Sequence, residues 1–498
     1  MLMTFFISAG WESWDLQDRP LIPEGMPVLI DDDLLFKDGP GVPRPVVAVN
    51  RWLRELPVSG APAPATWESY GRIVRSWMEF LGDRGTSVFA GREQLRAALS
   101  GYAEYRATGP VARRFTATTW NRHVSVLSSF YRWAVAEGHA PAEPFSYRAS
   151  RAVFAGTARA VRVNLASRRT PKPHVTIRYL EPDFAGLFVR ALAGRGADGA
   201  DDPGYRGREL ARNACVGELA LATGLRLQEF TYLLAYEIPA LPSARTQVPI
   251  AFPVPAGVTK GRKPRITWIS WDALAAVHQY LRLDRAAATG GSAWLPPPAW
   301  GEPLMVTRPD ADGGQINGVR RRWEVLTPAE RRRLVAPGGG SCLLAVKAGG
   351  GPFTSWPRVF ERTADRIRAG AEPRFPHVNA HRLRHSFSIR TLEYLVSGYY
   401  RQAADLAAAT GSGSGPDAAL ALSLSKADPL LVLRDLLGHS SVLTTEKYLR
   451  RLDTTRIFAE AYERSGLGAG DSGGPGAAAA QREAGAEFAG DDQTGGDA

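Results

Sequence analysis

The sequence has little cysteine. Its 498 residues include two cysteines, Cys215 and Cys342, which lie far apart and outside any metal-ligand spacing. A small disulfide-stapled scaffold needs more cysteines than this, and a cysteine-based zinc site needs them closer together. Both classes are therefore excluded, and the composition is typical of a protein in the reducing cytoplasm.

Long apolar runs are also missing, since none reaches membrane-spanning length. The first residues, MLMTFFISAGWESWD, have a short apolar stretch but no basic region before it, and acids follow at once. This pattern predicts no signal peptide. A hydrophobic content of 44% and a charged content of 22% are ordinary for a soluble globular protein, and the length accommodates two or three domains.

Lysine is scarce although the chain is strongly basic. Only seven of the 61 basic residues are Lys, the net charge is +11, and the isoelectric point is about 9.8. Arginine binds phosphate through a planar fork of donors, so this balance favours a polyanion partner, with nucleic acid ahead of an acidic membrane surface. A GC-rich genome would also enrich arginine, and that alternative stays open.

One segment contains no acid at all. Residues 148–178 hold eight basic residues, no Asp or Glu, and Gly, Pro and small residues without a clear period. We interpret the segment as a linker between two domains that follows a phosphate backbone, the alternative being a merely solvated linker. The predicted contacts in it are Arg151, Arg159, Arg162, Arg168, Arg169 and Lys172.

The rest of the chain divides around this basic segment. Apolar residues at helical spacing predict three helices before it, the third over residues 117–137. Arg122 lies on the polar face of that helix and Arg113 and Arg114 lie just upstream, which favours nucleic-acid contact over an ordinary bundle with a solvated face. The predicted parts are an N-terminal extension (1–60), a helical domain (61–148), the basic linker (149–178), a larger domain (179–465) and a disordered tail (466–498).

Within the larger domain, local patterns predict a helix over 207–223, two strands around a turn at 259–265, and a helix over 272–287. Further helices are predicted from Ser355 to Gly370 and from His381 to about Val396, and a short amphipathic helix from about Thr454 to Arg464. The Pro- and Gly-rich stretch 290–350 has no assigned structure. Residues 404–427 are rich in Ala, Gly and Ser and predict a surface loop with a partial helix.

The stretch LLGHSSVLTTEKYLRR, residues 436–451, holds a histidine and a tyrosine. Gly438 ends a predicted helix, so His439 lies at an exposed corner. Tyr448 follows the polar run Thr444–Lys447, which predicts a hydroxyl near the surface. Taken alone, the stretch fits a structural pair, a helix-capping histidine and a core tyrosine, as well as it fits a functional pair.

Two further stretches carry groups suited to binding an anion. Asn379 is a plausible cap for a helix on which His381 and Arg384 share a face near the N-terminus, where the helix dipole favours negative charge. Arg226 follows a chain-turning glycine, Gly224, after an apolar helix.

Together these residues resemble the active site of the tyrosine recombinase (phage integrase) family. The matching residues, in chain order, are Arg226, His381, Arg384, His439 and Tyr448. The family's active-site lysine lies in a β-hairpin between the first arginine and the His-x-x-Arg motif, which makes Lys260 the candidate and Lys263 the alternative. The resemblance implies a mainly α fold with a small β-sheet (α+β). A helical SAM-like core-binding domain and a catalytic domain would form a C-shaped DNA clamp.

The same resemblance implies a site-specific DNA recombinase or integrase. Tyr448 would attack a phosphodiester to give a 3′-phosphotyrosine, and Lys260 would protonate the leaving 5′ oxygen. Arg226 and Arg384 would bind the non-bridging oxygens, His381 would manage the tyrosine proton, and His439 would hydrogen-bond the phosphate. Glu229 and His385 would be supporting residues, with a structural hydrogen bond favoured for His385. No cofactor or metal is implied. The implied partners are double-stranded DNA with specific recombination sites, a homotetramer on that DNA and an accessory directionality factor, within the cytoplasmic nucleoid.

Other enzymes that cut DNA are weighed against this interpretation. A metal-dependent transposase or nuclease needs clustered carboxylates, and the adjacent acids Asp31, Asp32 and Asp33 more often form a solvated loop. A type IB topoisomerase shares the Arg, Lys, His and Tyr chemistry, but the helical N-terminal domain and the LLGH–Tyr arrangement favour recombination. A non-catalytic relative is disfavoured because every catalytic position is filled.

Overall fold

The computed structural model describes residues 1–7, 22–39, 41–61, 63–154, 157–169, 177–207, 209–246, 248–409, 428–439, 443–446 and 448–449. The chain folds as two compact units, Met1–His174 and Val175–Ala498. Among the described residues, no helix is both long enough and apolar enough to cross a membrane.

The first unit is a helical bundle with short β-ribbons. Its helices are α1 (Pro45–Glu55), α2 (Pro64–Gly82), α3 (Arg92–Thr108) and α4 (Ala117–Ala136), and its strands are β1 (Leu2–Phe5), β2 (Pro27–Ile30), β3 (Lys37–Asp38), β4 (Val42–Pro43), β5 (Tyr147–Phe154) and β6 (Thr157–Asn164). Trp52, Trp77, Trp120 and Phe130 fill its core, each at most 2% exposed. The helix predicted over 117–137 is confirmed, and Thr116 caps it by accepting from the Thr119 amide.

Residues before position 60 contribute directly to this core. Met26, Leu29, Val46 and Val49 are fully buried in the same cluster as the bundle helices. The amphipathic helix α1 thus packs its apolar face onto α2, because so short a helix is stable only when that face is covered.

The acidic run near the N-terminus forms a loop organised by one arginine. Arg44 Nη1 donates to Asp33 at 2.6 Å, and its Nε donates to Asp38 at the same distance. Asp31 lies 3.7 Å from Arg44. These carboxylates therefore neutralise a side chain of their own loop, which fits the loop interpretation rather than a metal site.

The basic segment after the bundle is partly a β-hairpin, which differs from the irregular linker expected from its composition. β5 and β6 pair antiparallel from Tyr147↔Asn164 to Phe154↔Thr157. Valines alternate with arginine at 161–163, a period-2 pattern that favours a strand. The ribbon follows the bundle directly and places a row of basic positions on two adjacent strands.

In the part that the structure describes, the second unit is mainly helical, with two small sheets. Its helices are α5 (Pro182–Leu192), α6 (Leu210–Thr223), α7 (Leu227–Thr231), α8 (Trp271–Tyr280), α9 (Ala286–Thr289), α10 (Pro328–Arg331), α11 (Trp356–Gly370), α12 (Ala380–Ala409), α13 (Pro429–Leu437) and α14 (Leu443–Glu446). Its strands are β7 (Ile250–Val254), β8 (Arg265–Ile269), β9 (Leu304–Thr307), β10 (Gly313–Ile316), β11 (Val319–Arg322) and β12 (Leu334–Val335). Helix α6 runs through the core, in contact with α5, α8 and α12. The predicted strand pair, now β7 and β8, is confirmed as an antiparallel hairpin.

The unassigned stretch 290–350 forms a second sheet with its own small core. Its strand order is β11-β10-β9-β12, with β9 and β12 parallel and the other pairs antiparallel. Trp323 is 1% exposed at the centre of this core. Arg331 is fully buried and pairs with Glu237 at 2.7 Å. A carboxylate from outside the stretch therefore fastens it to the unit.

The long helix α12 corrects one prediction. The sequence predicts an end near Val396, but the helix continues to Ala409, so residues 404–409 of the predicted loop with a partial helix are helical. Alanine-rich sequence with no proline allows the helix to continue. The rest of that loop, the helix predicted at 454–464 and the tail at 466–498 lie outside the described residues.

Candidate active site

Gly224 brings Arg226 to the site by a tight change of direction. It ends α6 in the left-handed conformation, with φ 63°, and its amide donates to the Ala220 carbonyl. A Cβ at this position would lie 2.2 Å from the Phe387 ring of α12. The backbone therefore needs glycine both for its φ and for the close approach of α12.

Replacing Gly224 with alanine should lower the stability of the second unit. Left-handed strain plus overpacking against Phe387 should cost about 3 kcal/mol of unfolding free energy. Gly291 offers a matched control, because it has φ 67° but nothing within 4 Å of the place that an added methyl carbon would take. Gly291→Ala should cost about 1 kcal/mol from strain alone. Equal losses for the two variants in urea titrations would contradict the importance of the α12 contact.

Arg226 is paired with a buried carboxylate. Glu229, 1% exposed, accepts from Arg226 Nη1 at 3.0 Å and from both Nη atoms of Arg265 at 2.6 Å. Burial alone would raise the pKa of Glu229, but the hydrogen bonds and charge of Arg265, with help from Arg226, outweigh it and hold this pKa below its usual value. The group is therefore a fixed anion that orients two cations.

Arg384 is the most buried of the predicted phosphate ligands, at 3% exposure. Its Nη1 donates to the Gly224 carbonyl at 2.6 Å, and its Nη2 donates to the Leu437 carbonyl. Burial, followed by the nearby charges of Arg226 and Arg265, lowers the pKa of Arg384 to about 9. The guanidinium is still protonated at neutral pH, so an anion placed beside it would be strongly favoured.

These arginines converge on the C-terminal end of α13. The Leu436 carbonyl accepts from Arg265 Nε at 3.0 Å, and the Leu437 and Gly438 carbonyls accept from Arg226 Nη2 at 3.3 and 3.4 Å. Helix-terminal carbonyls lack partners within the helix and carry partial negative charge, which suits them to cations. Gly438 then turns the chain with φ 62°, as predicted. Arg226 and Arg384 thus meet at the turn that leads to His439.

Tyr448 is buried rather than near the surface, which corrects the expectation from its polar neighbours. It is 1% exposed and packs among Phe387, Leu433 and Leu437. Its hydroxyl lies 2.7 Å from His385 Nδ1. Burial raises the pKa of Tyr448, while a hydrogen bond with Ser388 and the charge of Arg384 act in the opposite direction.

The three histidines lie at different depths. His385 is buried and contacts the tyrosine hydroxyl, whereas His381 lies exposed one turn earlier on α12, with the two ring centroids 4.2 Å apart. Asn379 caps this helix as predicted, accepting from the Arg382 amide at 2.9 Å. His439 is half-buried, with Nδ1 3.0 Å from the Thr445 hydroxyl.

Both candidate lysines lie in the exposed turn between β7 and β8. Lys260 and Lys263 are exposed, and the turn between them includes Gly261 at φ 76° and Arg262 at φ 54°. Arg262 Nη2 donates to the Val325 carbonyl at 2.5 Å, which ties the turn to the 290–350 sheet. The turn can therefore present either lysine to a bound ligand.

The contacts of His385 and Glu229 are those of supporting residues, and the i+4 spacing of His381 and His385 places both on one face of α12. The sequence does not single out Arg265. No local signal marks Arg265, because its partners Glu229 and Leu436 lie far from it in the sequence.

The predicted DNA-binding residues of the first unit fall into two groups. Exposed side chains belong to Arg113, Arg114, Arg122, Arg162 and Arg169. Arg168 is half-buried, stacks 4.6 Å over Trp120 and donates to the Ala103 carbonyl, so part of its role is structural. In the hairpin register, Arg151 pairs with Ala160 and Arg159 pairs with Ala152. Lys172 lies outside the described residues.

Comparisons with known proteins point to one family. A family model for the phage integrase N-terminal SAM-like domain matches residues 49–138. Tyrosine recombinase XerC of Bradyrhizobium diazoefficiens is 25% identical over 427 residues, which cover 84% of this chain and 93% of the relative. A solved structure of the XerH site-specific recombinase bound to palindromic difH substrate, a post-cleavage complex, aligns with 84% of each chain at 12% identity and a TM-score of 0.43. The Tn1549 transposon integrase in complex with transposon right end DNA aligns with 80% of this chain and 92% of its own, at 12% identity and a TM-score of 0.40.

Residues 49–138 therefore match the SAM-like domain of phage integrases, and most of the chain is similar to a tyrosine recombinase, a family whose members catalyse the cleavage and rejoining of DNA. The predicted fold class is confirmed as mainly helical with small sheets and a SAM-like domain.

Proposed function

We propose that the catalytic residues of this recombinase are Arg226, Lys260, His381, Arg384, His439 and Tyr448, and that they act on DNA at specific recombination sites. The observation that carries the proposal is the convergence at the α13 end. Arg226 and Arg384 both donate to the Leu437 carbonyl there, and Arg226 also donates to the carbonyl of Gly438, the residue just before His439. An anion binding to both guanidinium groups would neutralise their mutual repulsion.

Arg226 and Arg384 are suited to hold the two non-bridging oxygens of a phosphodiester. Their donors now point to backbone carbonyls, and an anionic phosphate is a stronger acceptor than a neutral carbonyl. The transition state carries more negative charge on these oxygens than the ground state does. Fixed cations in a buried setting therefore stabilise it selectively. His439 donates a further hydrogen bond to the phosphate.

Tyr448 attacks phosphorus in line, and the 5′ oxygen leaves. The bond from the 3′ phosphate to the 5′ oxygen breaks as the bond to the tyrosine oxygen forms, giving a 3′-phosphotyrosine. His381 manages the tyrosine proton, and the adjacent His385, whose Nδ1 lies 2.7 Å from the hydroxyl, holds the tyrosine in the buried state before attack. Because Tyr448 is buried in this state, the segment bearing it must shift to expose the hydroxyl before attack.

The reaction conserves bond energy, so attack by the 5′-hydroxyl of another strand reverses it without ATP or metal. A duplex nicked near the cleavage point tests this, because loss of the short downstream strand traps the covalent intermediate. We expect a denaturant-resistant protein–DNA adduct that forms equally well in EDTA. Dependence on a divalent metal would instead indicate a transposase-type nuclease. Relaxation of supercoils without joining of two sites would indicate a type IB topoisomerase.

DNA would also contact the basic side chains outside the active site. The candidates Arg113, Arg114, Arg122, Arg162 and Arg169 are exposed, and the β5–β6 ribbon lacks acids. A two-stranded ribbon fits the dimensions of the major groove. Contacts of these side chains with phosphate would position the protein rather than read the DNA sequence, and their loss should reduce the salt dependence of binding.

Recombination joins two duplexes, each cut by two protomers, so four copies of the chain would assemble on DNA. The helix predicted at 454–464 carries the apolar residues Ile457, Phe458 and Ala461 and follows Tyr448 closely. So short a helix needs a surface to cover its apolar stripe. We propose that it docks on a neighbouring protomer.

Truncation after Asp453 should leave a protein that folds and binds one half-site but does not form the tetramer. The removed stripe contributes contact between protomers rather than contact with DNA. Analytical ultracentrifugation on full-site DNA would measure the change, with the full-length chain as the control. Undiminished tetramer formation would rule out the docking role, and loss of fold would show that the helix packs on its own domain.

A further inference from the structure

Arg265, at the start of β8, is a buried arginine that the proposed chemistry does not use. Its side chain is 8% exposed, and its two Nη atoms donate to the two oxygens of Glu229 at 2.6 Å. Its Nε donates to the Leu436 carbonyl at 3.0 Å. A planar guanidinium that donates through both Nη atoms and Nε holds its partners in one fixed arrangement.

Each partner of Arg265 belongs to a different part of the active site. Glu229 is also the carboxylate that accepts from Arg226. Leu436 lies in the last turn of α13, just before the turn that holds His439. Arg265 therefore joins the segment of the first arginine to the segment of the last histidine.

The contact with the α13 end is steric as well as polar. A Cβ at Gly438 would lie 2.7 Å from Arg265 Cδ, so the backbone passes this side chain as closely as a glycine permits. Arg265 also belongs to the hairpin whose turn carries Lys260, and β8 is anchored along its length by pairing with β7. A shift of Arg265 would therefore move the base of the lysine turn.

We propose that Arg265 is a positioning residue that fixes Arg226, Lys260 and His439 relative to one another around the scissile phosphate. This inference rests on the proposed function of those three residues. The donors of Arg265 are occupied by Glu229 and Leu436, so this residue acts through these groups and not on the phosphate itself.

Arg265 controls the positions of the catalytic side chains relative to one another. Displacing a catalytic group by about 1 Å can slow a reaction about 100-fold. Removing one partner of a buried ion pair also destabilises the fold, so cleavage rates are compared per folded molecule. Arg265→Gln should therefore reduce the rate of adduct formation on nicked DNA about 100-fold. DNA affinity should stay within about threefold, because exposed basic residues supply most of it.

Two variants separate positioning from folding. Arg265→Lys keeps a charge near Glu229 but not the fork, so it should recover only part of the rate. Arg212→Gln is the matched control. Arg212 is also buried in the second unit, where it contacts Asn213 and the Val346 carbonyl, away from the site. Its variant should lower the melting temperature and leave the cleavage rate per folded molecule unchanged.

Comparing single and double variants tests whether Arg265 acts through Glu229. If Arg265 acts through Glu229, the double variant Arg265→Gln/Glu229→Gln should cleave no more slowly than the worse single variant. If the losses of cleavage rate in the two single variants add up in the double variant, Arg265 does not act through Glu229. A cleavage rate for Arg265→Gln that falls only with its folded fraction, as for Arg212→Gln, would overturn the positioning role. Absence of any adduct with the unmodified protein would instead refute the proposed function, so the two failures are distinguishable.

Discussion

Tyr448→Phe should abolish covalent attachment of the protein to DNA while leaving DNA binding within about threefold of the unmodified protein. Phenylalanine fits the apolar pocket of Phe387, Leu433 and Leu437, so the loss is confined to the hydroxyl. That hydroxyl is the proposed nucleophile, and it contributes little to phosphate affinity, which basic residues supply. Trapping on a nicked duplex, read on a denaturing gel beside a binding titration, measures both quantities.

The burial of Tyr448 makes a control necessary, because removing its hydroxyl also removes a hydrogen-bond partner of His385. Loss of that hydrogen bond should lower the unfolding free energy by about 1–2 kcal/mol. Tyr394→Phe provides the comparison, since Tyr394 is a 55%-exposed tyrosine on α12. It should form adducts at the unmodified rate. A covalent adduct that survives in Tyr448→Phe would refute the assignment of the nucleophile.

Local signals account for the parts of the site that could be predicted from the sequence. Gly224 and Gly438 end helices in the left-handed conformation, and Asn379 caps the helix that carries His381. Each of these signals depends on neighbours within one turn of a helix. For this reason they place Arg226 and His439 at corners without any knowledge of the tertiary fold.

Contacts between distant segments account for what could not be predicted. The Arg265–Glu229 pair joins β8 to α7, and nothing near either residue distinguishes that pair from a solvated one. The depth of Tyr448 is another case. Its polar neighbours suggest exposure, but Thr445 is itself fully buried and the tyrosine packs under α12 and α13. Burial is decided by the elements that cover a segment, which a local pattern does not contain.

The sheet within 290–350 could not be predicted from the sequence either. Its strands are short, and Gly313 and Gly314 leave little apolar pattern in β10. The fold requires both glycines, because a Cβ at Gly314 would lie 2.7 Å from the Trp323 ring and a Cβ at Gly313 would lie 2.3 Å from the Arg321 carbonyl oxygen. The glycine content that left this stretch unassigned thus includes a residue that close packing against Trp323 requires.

Lys260→Ala should slow cleavage of normal DNA by about 100- to 10,000-fold, the range expected for loss of a general acid. An alkoxide leaves poorly without a proton, whereas a thiolate leaves readily without one. A substrate with sulfur in place of the bridging 5′ oxygen should therefore be cleaved by Lys260→Ala at close to the unmodified rate. Rates of adduct formation on the two substrates, measured side by side, give the result.

Lys263→Ala is the matched control for this test, because both lysines are exposed in the same turn. Lys263 lies just beyond the left-handed Gly261–Arg262 pair, where the Arg262 bond to Val325 holds the chain against the 290–350 sheet. We expect Lys263→Ala to cleave both substrates at similar, near-normal rates. If the sulfur substrate selectively rescues Lys263→Ala instead, the general acid is Lys263. If it rescues neither variant, protonation of the leaving group comes from outside this turn.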